Sequence, residues 1–237
     1  MAAADPSDPS TPPVPPAPPR DDPHALAILS AELSTLVAAR GLVYNESFTR
    51  AGMFLAFLSA TLVALGLVAT VTGIGDQLLV IAIAVLGVDL FIGVATLGRL
   101  VSASREDIRC LQGMNRVRHA FHVVRPDLAP YFISSRHDDL RGVLSTYGPV
   151  GDSMASGLAG VLHGFTTMPA MVSVICACLA GTIAALAVLL ATGSTLLAAI
   201  LAAVVLAGSI GLSLRLMTRS IATMMASLEV RFPSPRG

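Results

Sequence analysis

The chain has 237 residues, 54% of them hydrophobic and 13% charged, with a mean hydropathy of +0.76. An ordinary soluble domain is about a quarter charged, so too little polar surface is present here to cover a soluble globule. Fifteen Arg balance fifteen Asp and Glu, which leaves no basic excess for nucleic acid. The absence of Lys excludes a P-loop, a pyridoxal-phosphate Schiff base and a standard kinase site.

Residues 1–23 hold nine of the fifteen prolines and almost no large apolar side chain. Such a segment buries too little surface to offset its ordering entropy, so it reads as a disordered, Pro-rich tail with no signal-peptide pattern. Residues 24–50 follow as an amphipathic helix on the cytoplasmic side. Leu26, Leu29, Leu33, Leu36 and Val43 recur at three-to-four spacing, with Arg40 between the last two.

Four apolar stretches come next, at 51–71, 77–100, 169–191 and 195–214. Each has about 20 residues, enough at 1.5 Å per residue to cross about 30 Å of hydrocarbon. They form two hairpins, 51–100 and 169–214, closed by the short linkers TGIGDQ (72–77) and TGST (192–195). Neither linker contains Arg. Arg40 and Arg50 precede the first span, eight Arg from Arg99 to Arg141 follow the second, and Arg215, Arg219, Arg231 and Arg236 follow the fourth. Basic residues near span ends stay on the cytoplasmic side. Both termini, the 101–168 connection and the 215–237 tail are therefore expected there, with both short turns outside.

Within 101–168 the spacing predicts several helices. Ser104-x-x-Asp107 reads as a capping box that opens one, with Cys110, Met114, Val117, Phe121 and Val124 as its buried stripe and Pro126 and Pro130 as its end. His119 and His122 fall on the opposite face and are expected to be exposed. Ser135-x-x-Asp138 reads as the start of a second helix, closed by Gly148-Pro149, with Leu140, Val143, Leu144 and Tyr147 on one face. A third amphipathic stretch carries Met154, Leu158, Val161, Leu162 and Phe165. Thr166, Thr167 and Pro169 read as the cap and first turn of the third span.

Asp89 stands near the middle of the second span, where a carboxylate is expensive and marks a functional site by default. Gly93 and Thr96 share its helical face. Counting residues from the cytoplasmic end brings Ser59, Thr61 and Thr182 to its depth, so these four residues define an intramembrane polar site. It reads either as a proton- or cation-coupled centre or as a hydrogen bond that fixes helix packing. Small residues at four-residue spacing point to close helix approach, at Gly52, Ala56 and Ala60, at Gly181, and at Gly211. His119, His122 and His137 form a weaker alternative, a metal-binding group on the cytoplasmic helices. Cys176 and Cys178 read as small apolar fillers, and three Cys cannot build a disulfide framework.

In the stretches ARGLVYNESFTRAGMFLAFLSATLVALGL (39–67), GRLVSASREDIRCLQGMNRVRH (98–119) and YFISSRHDD (131–139), the chain resembles a group of uncharacterised bacterial multi-pass membrane proteins. The resemblance spans about residues 30–215. It implies an integral membrane protein with cytoplasmic termini and carries over no activity, cofactor or catalytic residue.

The sequence therefore predicts an all-α, four-span inner-membrane bundle with a helical cytoplasmic layer. The leading role is a non-enzymatic scaffold or regulator whose partners are the bilayer, a cytoplasmic protein and further copies of itself. A small oligomeric transporter or channel using Asp89 is the alternative, and a membrane enzyme with a His119, His122 and His137 metal site is the third.

Overall fold

In the computed structural model, which describes residues 23–73, 75–147, 167–226 and 229–235, the regular elements are helices and 3-10 turns. Helix α1 runs Pro23–Thr72 and α2 runs Asp76–Val124. A 3-10 turn at Pro126–Tyr131, the short α3 (Leu140–Leu144) and a second 3-10 turn at Ser145–Tyr147 follow. Helix α4 spans Met168–Thr192 and α5 spans Thr195–Ala226. The Pro-rich tail, Gly148-Pro149, the 154–165 stripe and Thr166 lie outside the described residues.

Two boundaries expected from sequence are absent. The 24–50 helix and the first span are one helix. The second span likewise continues through residue 101 to Val124. Ser104 opens nothing; its hydroxyl donates to the Leu100 carbonyl one turn back. The segment LVSASRE contains neither Pro nor Gly, and one buried face runs unbroken through it. Leu86, Asp89, Gly93, Thr96, Leu100, Ala103, Asp107, Leu111, Met114 and Val117 are all buried at three-to-four spacing. A helix keeps propagating while each turn adds a hydrogen bond and buries its stripe. The same logic carries α1 past Gly41, Gly52 and Gly66, each a tolerable cost of about 1 kcal/mol. The N-terminal Leu stripe lies on the half-buried face of α1.

The hairpin turns follow the sequence. Gly73 (φ 72°) and Gly193 (φ 65°) adopt the left-handed conformation that only Gly takes freely, and their N–H groups close on Ala69 and Leu189. Thr167 is the N-cap of α4 by backbone geometry, and Pro169 occupies its first turn.

The chain forms two units. One takes the described parts of Met1–Gly41, Asp107–Asp152 and Met225–Gly237; the other takes those of Leu42–Glu106 and Ser153–Met224. The second unit holds the apolar helix segments. Its core is Ala51 and Phe54 of α1, Leu86 and Leu100 of α2, and Val172, Cys176 and Leu179 of α4. Helix α5 meets α4 at Gly181, where an added Cβ would come within 3.0 Å of the Ala202 carbonyl oxygen. Large apolar side chains on the outer faces are exposed, among them Met53, Phe57, Val63, Phe91, Leu196 and Val204. Soluble monomers do not expose such continuous apolar surface, whereas lipid solvates it.

The first unit has its own small core of Leu111, Met114 and Val143, with Leu33 and Leu36 packed on it. Of the predicted α2 stripe, Met114, Val117 and Val124 are buried while Cys110 and Phe121 are half-buried. Arg40 pairs with buried Asp107 at 2.6 Å.

Candidate functional site

Two clusters of buried polar groups stand out, one in each unit. Asp89 is 0% exposed. Thr61 donates its hydroxyl to Asp89 Oδ1 at 3.3 Å, and Oδ2 has no hydrogen-bond partner among the described residues. Beside the pair, Gly93 leaves room for Phe54 and Cys176; a Cβ at Gly93 would meet the Cys176 Sγ at 2.7 Å. Of the three hydroxyls expected around Asp89, only Thr61 reaches it. Ser59 and Thr182 are exposed and donate to their own preceding-turn carbonyls, Leu55 and Cys178. Residues 59 and 61 lie about 200° apart around a helix, so one faces in when the other faces out. Arg99, the basic residue of that span, turns instead to Glu46 (2.7 and 2.9 Å) and Glu106 (3.2 Å).

The expected small-residue contacts divide in the same way. Gly181 packs closely. A Cβ added at Gly52 or Gly211 would meet nothing within 4 Å, and Ala56 and Ala60 are exposed. Among the described residues, the Gly52, Ala56 and Ala60 row and Gly211 therefore do not serve packing. Their azimuth places them on faces that the other spans do not cover.

The second cluster belongs to the first unit and was not legible in the sequence. Asp138 is 0% exposed and accepts from the backbone N–H groups of Arg231 (3.1 Å to Oδ1) and Phe232 (2.7 Å), and from Arg116 Nε (2.8 Å). Its own N–H donates to the Phe232 carbonyl at 3.2 Å. Gln112 bridges the carbonyls of Asp138 (3.2 Å) and Glu229 (3.1 Å), and Arg116 also donates to the Glu229 carbonyl. Asp139 caps α3 through the Gly142 N–H (3.0 Å) and takes the Ser234 hydroxyl (2.8 Å) and N–H (3.1 Å). Burial alone would raise the Asp139 carboxyl, but the donors from Gly142 and Ser234 outweigh it and hold it below its ordinary range. The spacing predicted a capping box at Ser135-x-x-Asp138. The cap is Asp139 instead, and α3 is one short turn, because Asp138 is committed to the tail.

His119 and His122 are half-buried, not exposed as expected. The His119 ring stacks on Phe232 with centroids 3.9 Å apart, and His122 lies 4.9 Å from Phe132. Both imidazoles are held below their ordinary value, first by burial and then by the Arg136 charge. Among the described residues, no group of three His, Cys, Asp or Glu side chains is placed to hold a metal ion. Aromatic rings lie against two of the imidazoles, and the Nδ1 atoms of His119, His122 and His137 are buried without hydrogen-bond partners among the described residues.

Between α2, α4 and α5 of the apolar unit lies a cavity of about 450 Å³, lined mainly by apolar side chains and bordered by Arg105. Arg105 donates to Ser220 Oγ at 2.6 and 3.0 Å.

Four helices long and apolar enough to cross a bilayer define a multi-pass membrane protein of all-α class. No family model matches the chain, and neither a curated protein nor a solved structure is similar to it.

Proposed function

We propose that the chain is a non-enzymatic scaffold or regulatory protein of a bacterial inner membrane, anchored by four spans, with its Arg-bearing segments and both termini cytoplasmic. Its partners on this reading are the bilayer, a cytoplasmic protein and further copies of the chain. The observation that carries it is the use made of buried charge in the first unit. Asp138 and Asp139 hold a separate stretch of main chain, and Asp107 holds Arg40. A buried carboxylate spent on gripping backbone, as in Asp138, is the chemistry of a binding module. The Arg asymmetry supports the orientation.

A second reading, a small transporter or channel, is favoured by Asp89 alone, whose Oδ2 is buried and unpartnered beside Thr61. Proteoliposomes loaded with a pH-sensitive dye separate the two. The scaffold reading predicts the same proton leak for wild type and Asp89→Asn under an imposed gradient. A flux in wild type that Asp89→Asn abolishes would replace it with the transport reading.

A further inference from the structure

We infer that Gln112, Arg116, His119, Asp138 and Asp139 form a recognition site for a bent peptide, and that the chain's own residues 229–234 occupy it in cis. The proposal rests on the binding-module reading and names its ligand class.

Three features distinguish this site from incidental packing of a tail. The grip is on main chain: Asp138 receives two consecutive N–H groups and returns its own N–H to the Phe232 carbonyl, while Gln112 reaches the Glu229 carbonyl. The segment bends at Arg231 and Phe232, which turns both N–H groups toward one carboxylate, and such a grip on main chain holds a peptide whatever its side chains, with selectivity added at a few positions. The selective positions are present. Phe232 stacks on His119, and Ser234 gives both hydroxyl and N–H to Asp139. The residue between them, Pro233, has no N–H, and the backbone donors at 231, 232 and 234 each meet a carboxylate.

The third feature is the cost of an empty site. Without the tail, the Asp138 carboxylate keeps Arg116 as its side-chain donor at 2.8 Å but loses both backbone donors. Asp138 is fully buried with the tail in place, so a competing segment has to supply the same backbone donors to the carboxylate. The ligand is therefore a peptide able to bend so that two consecutive N–H groups meet one carboxylate, with an aromatic side chain on the second and a hydroxyl two residues further on. Only two residues separate the end of α5 at Ala226 from Glu229. As part of the same chain, the tail competes for the site intramolecularly. The tail thus acts as a latch that a competing segment, such as the tail of a second copy, must displace.

The test uses the full chain in detergent and a labelled peptide of sequence EVRFPSP. With Phe232→Ala and Ser234→Ala in the chain, the latch is weakened. The peptide should then bind saturably and at least about tenfold more tightly than to wild type. Adding Asp138→Asn should abolish that binding. Equal binding to both chains, or none to the variant, would overturn the proposal. Because Asp138→Asn also removes a buried charge on which the unit is built, amide hydrogen exchange on the wild-type chain gives a second readout. Residues 229–234 should be protected, and excess EVRFPSP but not a scrambled peptide should accelerate their exchange. Exchange at random-coil rates, or protection that the peptide leaves unmoved, would also overturn it. A proton flux through Asp89 would remove the scaffold reading and leave these measurements standing, whereas absent peptide binding removes only this site.

Discussion

At the scale of single residues, the structure divides side chains that depth along a helix treats alike. Thr61 reaches Asp89 while Ser59 and Thr182 satisfy themselves within their own helices. Thr61→Val should therefore leave Asp89 with both oxygens unpaired and lower stability by about 1–3 kcal/mol. Ser59→Ala and Thr182→Ala should change it by less than about 0.5 kcal/mol. Thermal unfolding in detergent checks all three, and equal effects would mean that the helix faces are misassigned. The histidines give a pH prediction. Burial and the Arg136 charge keep His119 below its ordinary 6.5 in the folded chain, whereas the unfolded chain binds the proton at its ordinary value. The unfolded state thus binds more protons below about pH 6.5, and stability falls as pH drops through that value toward the folded one. The melting temperature should decline between about pH 7.5 and about pH 5.5. His119→Phe, which keeps a ring on Phe232, should flatten the decline, and an unchanged slope would contradict this account of His119. The carboxylate of Asp139 acts in the opposite range. Its contribution is present above about pH 4 and is lost only as pH falls through its depressed value.

At the scale of elements, much was legible because it depends on local periodicity. The Leu26, Leu29, Leu33, Leu36 stripe, the Met114, Val117, Val124 stripe, the Pro126 stop and the two Gly-closed hairpins all follow from residues a turn or two apart. The Ser104 and Ser135 patterns open no helix, because a Ser-x-x-Asp pattern caps only where the preceding residues leave helical geometry or the Asp is free to serve. Nothing near Leu100 breaks the helix, and Asp138 is spent on the tail. The tail site was out of reach for a different reason. Asp138 and Phe232 are joined across more than ninety residues, and no spacing rule connects them; the one local sign was a lone Phe next to Pro in a polar tail. Packing within the apolar unit gives a further prediction. Gly93→Ala should cost about 1–3 kcal/mol, since its Cβ would meet both Cys176 and Phe54. Gly52→Ala and Gly211→Ala, which meet nothing, should be neutral or slightly stabilising through helix propensity. Unfolding of the three variants in one detergent separates the cases. A neutral Gly93→Ala would show that α1, α2 and α4 do not pack as described.

At the scale of the whole molecule, composition alone carried the class: four apolar stretches of spanning length became four helices whose outer faces remain apolar. The molecular task had no such signature. A binding site built from backbone donors and two carboxylates uses no rare residue and no motif, so it emerges only when distant segments are brought together. We propose that the Arg-bearing segments lie on one side of the membrane and that both hairpin turns face the other. Single cysteines at Gly75, Ser194 and Arg109, in a chain with Cys110, Cys176 and Cys178 replaced by Ala, test it directly. An impermeant maleimide applied to intact cells should label positions 75 and 194 and should label position 109 only after lysis. Labelling of 109 in intact cells, with 75 and 194 protected until lysis, would contradict this orientation.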